Sequence, residues 1–179
     1  RPRFSWLLVA VLTFTGVITI ADIFGVNPYR SFWSGFERMD GLINLLHLVV
    51  YFLIAGTLLT TKKIWDRFFN TTIGVSVVLS ILALAQLVGM MKINTDAGRL
   101  DSTIGNAAYF GAYLLLHIFL TIFMLVRWQG NPKGRYVYGV IALLHTIILY
   151  LTATRSAMLG LLGGVFVATV LIAILEREH

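Results

Sequence analysis

Thr152-Ala153-Thr154-Arg155-Ser156-Ala157-Met158-Leu159-Gly160-Leu161-Leu162-Gly163-Gly164 stands between two long apolar runs, with no loop of ordinary length to separate them. Arg155 is the only charge between Arg135 and Glu176. A cation in so apolar a setting costs about 2.5–3.5 kcal/mol at the middle of a span, so it needs water, an anion or a partner. The stretch therefore reads as a tight turn between two membrane-spanning helices. Two uses of Arg155 fit that turn: the side chain snorkels to the interface, or it is held at a fixed depth to bind a lipid-linked anion. Beyond it, Ser156, Gly160, Gly164 and Ala168 recur every fourth residue, a small-residue helix face that another helix can approach closely.

Working outward, the rest of the chain has the same character. Hydrophobic residues make up 58% and charged residues 12% of the 179, and mean hydropathy is +0.85, more apolar surface than a water-soluble domain of this size can hide. Six runs are long enough to span a bilayer: Phe4–Phe24, Gly41–Thr60, Phe69–Met91, Ala107–Val126, Tyr136–Thr154 and Ala157–Leu175. They are continuously apolar, without the alternation of a barrel strand, so the expected fold is all-α: a polytopic transmembrane helix bundle of about six spans.

The net charge of +6 could suit nucleic acid, but its distribution argues for a membrane instead. With the N-terminus cytoplasmic, Arg1, Arg3, Lys62, Lys63, Arg67, Arg127, Lys133, Arg135 and Arg177 fall inside, and Arg30, Arg38, Lys92, Arg99 and Arg155 outside. The positive-inside rule favours that orientation. There is no cysteine, hence no disulfide, thiolate metal site or cysteine catalysis. The chain starts at Arg1 and stops directly after an apolar run, which reads as a piece of a longer protein, cut on both sides.

Several loops and polar residues carry further signals. Asp22 near the end of the first run reads as a solvated helix end. Asn27 before Pro28 reads as an N-cap followed by proline at the first helical position. Tyr29, Phe32, Trp33 and Phe36 then form one helical stripe, with Arg30, Ser34, Glu37 and Arg38 on the adjoining arc, the pattern of a short amphipathic helix lying on the outer leaflet. Ser34 with Glu37 also fits a capping box, an alternative start for the next helix. Arg30 and Arg38 are positioned to contact phosphate, or to be neutralised by Glu37 and Asp40. Asn44 and His47 share a face, a pair expected to hydrogen-bond between helices. His117 and His145 stand alone in separate runs and read as interior histidines; none of these has the partners of a metal site. Gln86 is polar enough to require a partner. The loop Lys92–Asn106 balances Lys92 and Arg99 against Asp96 and Asp101, and Asn106 caps the following run, whose N-terminus either binds an anion or is simply capped. No Gly-x-x-x-x-Gly-Lys, His-Glu-x-x-His or Gly-x-Ser-x-Gly motif occurs.

Three stretches together resemble the O-antigen ligase-like, O-antigen polymerase-like membrane glycan transferases. Ser31-Phe32-Trp33-Ser34 with Glu37-Arg38-Met39-Asp40-Gly41 and Leu46-His47 is similar to that family's first outer-loop signature. Gly105-Asn106, Tyr109 and Ala112-Tyr113-Leu114-Leu115 are similar to the start of a later span, and Thr152-Ala153-Thr154-Arg155-Ser156-Ala157 to its Thr-x-Ser/Thr-Arg segment. The resemblance implies a glycan ligase or polymerase of the bacterial inner membrane. Such an enzyme moves a glycan from an undecaprenyl-diphosphate carrier to a hydroxyl of lipid A core, another glycan or a protein, on the outer side. It implies no cofactor, nucleotide sugar or metal. It also implies that Arg155, Arg38, Arg30, Arg99 and Asn106 bind the carrier's diphosphate, and that the general base lies in a large periplasmic loop beyond this chain, whose own turnover is then not expected. A transporter and a non-catalytic membrane scaffold or sensor are the other classes compatible with the composition.

Overall fold

Apolar runs of this length have one low-energy option in a bilayer, because a helix satisfies every backbone N–H and C=O within itself. A computed structural model of the chain describes residues 5–35, 40–93, 98–128, 130 and 132–176. The described residues form seven α-helices and no strand: α1 (Trp6–Ile23), α2 (Pro28–Trp33), α3 (Leu42–Leu58), α4 (Lys62–Leu87), α5 (Ala107–Arg127), α6 (Pro132–Leu151) and α7 (Arg155–Glu176). Five of them, α1, α4, α5, α6 and α7, are long and apolar enough to cross a membrane. α3, where the sequence predicts the span Gly41–Thr60, is a shorter apolar helix of 17 residues. At 1.5 Å per residue that is about 26 Å, the lower limit for a spanning helix. The chain is a polytopic helical membrane protein.

The largest shift from the sequence reading is in α4. The span predicted to start at Phe69 starts at Lys62, so Lys62, Lys63, Asp66 and Arg67, expected in a loop, are helical. Thr61 accounts for this: its Oγ1 accepts from the Ile64 N–H at 3.3 Å, which starts the helix ahead of the basic residues. The other end stops at Leu87 rather than Met91, and Gly89 takes φ +77° just beyond it.

The chain divides into two compact units, Arg1–Trp65 and Asp66–His179. In the first, Ser5 Oγ caps α1 by accepting from Leu8 N–H at 3.1 Å. Asn27 caps α2 as predicted, its Oδ1 accepting from Arg30 N–H at 3.1 Å, with Pro28 in the first helical position. α2 is shorter than the aromatic stripe suggests. It closes at Trp33 because Ser34 takes φ +64° and donates its N–H to the Arg30 carbonyl at 2.7 Å. Phe36, Glu37, Arg38 and Met39 lie outside the described residues. The capping-box start at Ser34 is not used, since α3 begins at Leu42 behind Gly41. Gly41 passes so near the Phe32 carbonyl that a Cβ there would collide with it. Among the described residues Asn44 and His47 form no bridge between helices: both are exposed, and His47 Nδ1 is 2.7 Å from the Ile43 carbonyl of its own helix. Asp22, Ser31, Asp40 and Asn44 instead line a cavity of about 430 Å³.

In the second unit, which takes α4 from Asp66 onward, α5, α6 and α7 follow one another through short connections and alternate in direction, while the longer 88–106 segment leads from α4 to α5. One end is pinned by an ion pair, Arg127 Nε to Asp66 Oδ1 at 2.6 Å, and by Tyr138 Oη donating to Asn70 Oδ1 at 2.6 Å. The core is built from Ala83 of α4, Phe110, Leu114 and Ile118 of α5, and Ile148 and Leu149 of α6. The small-residue face of α7 meets α5. A Cβ on Gly160 would lie 2.9 Å from Leu115 Cδ2, and one on Gly164 would run into the Phe119 ring. Gly163, on another face, has nothing within 4 Å of that position. Gly163→Ala should therefore gain the ordinary helix-propensity difference, about 0.5–1 kcal/mol. Gly164→Ala should lose that gain to displacement of Phe119. Thermal unfolding in one detergent compares the two, and equal stabilisation would refute the close α5–α7 approach.

Candidate functional site

At the end of the second unit opposite Asp66–Arg127, three helix termini converge: the C-terminus of α6 and the N-termini of α5 and α7. The connection between α6 and α7 is only three residues, Thr152-Ala153-Thr154. So short a reversal requires a residue in the left-handed region, and Ala153 takes φ +51° there, a conformation of some cost to a residue with a Cβ. Thr152 N–H still donates to Ile148 O at 3.0 Å, closing α6, while Thr154 O accepts from Met158 N–H at 3.1 Å, opening α7.

The two threonines do more than form the turn. Both are buried, at 0% and 3% exposure. Thr154 Oγ1 donates to the Ala107 carbonyl at 3.0 Å, tying the start of α7 to the start of α5, and Gly111 makes room for it, since a Cβ there would lie 3.0 Å from Thr154 Cβ. Thr152 Oγ1 donates to Leu149 O at 2.7 Å and lies 3.0 Å from Thr154 Oγ1. Onto this pair the 98–106 loop delivers Arg99. Its Nε donates to the Thr152 carbonyl at 2.8 Å and its Nη2 to Thr154 Oγ1 at 2.9 Å, a two-pronged grip.

The loop is held from its other side by Gln86, near the end of α4. Gln86 Nε2 donates to Asp101 Oδ1 at 2.8 Å, Lys92 O at 3.0 Å and Ser102 O at 3.1 Å. Its Oε1 accepts from Ser102 N–H at 2.8 Å and Asp101 N–H at 3.3 Å. Ser102, with φ +51°, also donates its hydroxyl to Leu79 O at 2.8 Å. Asp101 is wholly buried. The partner that the sequence demands for Gln86 is thus a loop fifteen residues on rather than another span.

The predicted site residues separate into distinct roles. Arg155, the first residue of α7, is exposed beside the Thr154 that grips Arg99, so one turn carries two guanidiniums. Arg99 is half-buried and engaged with that turn. Asn106 lies at the same end, but its Oδ1 accepts from Ala108 N–H at 2.8 Å and Tyr109 N–H at 3.3 Å, so it caps α5. Arg30 is exposed on α2 and belongs to the first unit. Arg38 lies outside the described residues. Among those residues no group of three or more His, Cys, Asp or Glu is arranged to hold a metal.

Two features escaped the sequence reading. The Thr152 carbonyl and the Thr154 hydroxyl, which the sequence presents only as parts of a tight turn, are the receptor for Arg99. His117 and His145, taken as isolated, are close: their ring centroids are 6.5 Å apart. A signal for the second was present, since the two lie at similar sequence distances on either side of the short connection between Arg127 and Pro132. An antiparallel helix hairpin sets such positions side by side. Comparison of the chain with known protein families, curated proteins and solved structures found no match.

Proposed function

We propose that the chain is part of an integral-membrane glycan ligase or polymerase. It transfers a glycan from an undecaprenyl-diphosphate carrier to an acceptor hydroxyl at the outer face of a bacterial inner membrane. The observation that carries this reading is the turn Thr152–Thr154, which fixes Arg99 in its backbone and hydroxyl groups and leaves Arg155 exposed beside it. Departure of a diphosphate builds negative charge on oxygen, and cations preset at that point, next to an apolar region, stabilise it. Arg155 is the group that meets the phosphate oxygens, through a planar fork that stays charged. Arg99 is a positioning residue: it sets the turn and adds its charge from behind. The acceptor hydroxyl also needs a base. His47 belongs to the first unit, and His117 and His145 lie well inside the helices, so none of the three is assigned that task.

A non-catalytic scaffold or sensor is favoured by one observation, the engagement of Arg99 with the Thr152–Thr154 turn and of Asn106 with the start of α5. Binding separates the readings. In lipid nanodiscs the protein should retain undecaprenyl diphosphate at least tenfold better than undecaprenyl alcohol, and inorganic pyrophosphate should compete. Equal retention of the two lipids would leave the scaffold reading standing.

The orientation is proposed with the function: Arg1 cytoplasmic, and the Asp66–Arg127 end of the second unit cytoplasmic as well. Single cysteines at Ser34 and Lys133 should then react with an impermeant thiol reagent from opposite sides. Labelling of both from outside would move the basic turn to the wrong face for the carrier.

A further inference from the structure

Inside the second unit, away from the basic turn, lie polar atoms that the fold leaves without partners. His145 of α6 is 0% exposed, and neither of its ring nitrogens has a partner at full hydrogen-bond geometry, the backbone of Ser76 being the polar group that approaches it; Ser80 Oγ of α4 has no partner. His117 of α5 faces His145 with ring centroids 6.5 Å apart and planes at 80°. Its Nδ1 is 2.8 Å from the Tyr113 carbonyl, which fixes the proton on Nδ1 and leaves Nε2 as an acceptor. His145 in turn faces the backbone of Ser76, one turn before Ser80 on the same buried face of α4.

Such a cluster is expensive if dry. A buried donor or acceptor without a partner costs about 1–3 kcal/mol, and the surrounding lipid supplies none. A direct bond between the two rings would place their centroids roughly 5 Å apart. At 6.5 Å the spacing suits one molecule of water between them. A water at this point would find the two to four polar partners that such sites require.

There is also a way in. A cavity of about 290 Å³ separates α4 from α6 and is lined by Asn70, Ile73, Gly74, Gly134, Tyr138 and Ile141, among others. Its mouth is at the α5–α6 turn, where Trp128 and Gly134 line it, and Tyr138 and Asn70 bond across it. Its inner limits, Ile73 and Ile141, lie three residues from Ser76 and four from His145, about one helical turn each.

We propose that His117, His145 and Ser80 form a hydrated, proton-exchanging site within the helix bundle, supplied with water through the α4–α6 cavity. The ligand is water itself, hydrogen-bonded between the imidazoles. The titratable group facing His145 is His117, whose ring in turn lies 4.0 Å, centroid to centroid, from that of Tyr113; from α4 the Ser76 backbone faces it. The site stands apart from the transfer reading and does not depend on it.

The test is nuclear magnetic resonance of the ¹⁵N-histidine-labelled protein in nanodiscs, with ring N–H exchange against water as the readout. In the wild type, both rings should give water cross-peaks. Gly74→Leu fills the cavity from α4, where nothing lies within 4 Å of a Cβ, and should slow exchange at His145 at least tenfold. Ile141→Phe plugs the inner end from α6 and serves if the first variant fails to fold. His145→Phe should abolish the water contact of His117. A His145 ring without water exchange in the wild type overturns the site, and an unchanged rate in a folded plugged variant overturns the route.

Discussion

Gln86→Leu should destabilise the protein by about 3–5 kcal/mol, the range seen when one partner of a buried charged contact is removed. Leucine is of comparable bulk, so packing is the smaller part of that loss. What goes is the set of donors and acceptors that hold the 98–106 loop: Asp101 Oδ1, the Lys92 and Ser102 carbonyls, and the Asp101 and Ser102 N–H groups. Asp101 and Ser102 are at 0% and 1% exposure, so water does not replace those bonds without opening the structure. Gln86→Glu keeps size and acceptor but sets a second carboxylate against Asp101 and removes both N–H donors, and should be at least as damaging. Adding Asp101→Leu to Gln86→Leu should return part of the loss, because removing both members of a buried polar pair costs less than removing one. Unfolding in detergent, with amide exchange over 98–106, measures all three variants. A Gln86→Leu protein within about 0.5 kcal/mol of wild type, the range of ordinary surface substitutions, would mean that the loop is held by something else. The functional consequence is direct, since the same loop carries Arg99 to the Thr152–Thr154 turn.

Arg155 should matter to turnover rather than to folding. Its side chain is exposed, and no hydrogen bond or ion pair of its own is formed among the described residues, so Arg155→Ala leaves the turn intact. If it meets the diphosphate, the alanine variant loses one charge-assisted contact, about 1.5–3 kcal/mol. That corresponds to roughly ten- to a hundredfold in rate where the contact forms mainly in the transition state. Arg155→Lys keeps the charge without the fork and should fall between the two. An interfacial anchor behaves differently: Lys snorkels as well as Arg and restores wild-type behaviour, while Ala alters insertion. Arg99→Ala supplies the contrast, because its bonds to Thr152 and Thr154 are part of the fold and its loss should lower stability as well as transfer. The measurement is glycan transfer by the purified full-length protein, normalised to folded protein. Full activity in both Arg155 variants would leave the residue as an anchor.

Much of the architecture was decided along the chain alone. Continuous apolar runs fix helices, because no other open structure satisfies its backbone in lipid, and the caps at Asn27 and Asn106 mark where two of them begin. The four-residue spacing of Ser156, Gly160 and Gly164 likewise announces a close helix contact, as period and residue size are local properties. Which helix fills that face is not local: α5 does so because Leu115 and Phe119 come to lie opposite the glycines. Helix ends were also misplaced where a short-range device overrode hydropathy, as when the Thr61 cap drew Lys62–Arg67 into α4 and Ser34 closed α2 at Trp33. The polar groups depended most on tertiary structure. A side chain such as Gln86, Asp101, Arg99 or Thr154 states only that it needs a partner. The partner is chosen by whatever the packed helices bring within about 3 Å, which here was a loop fifteen residues away for Gln86 and a turn fifty-three residues away for Arg99. Arg155 reads as a cation at a membrane edge in either description; its place on the turn that also holds Arg99 exists only once α5, α6 and α7 are packed.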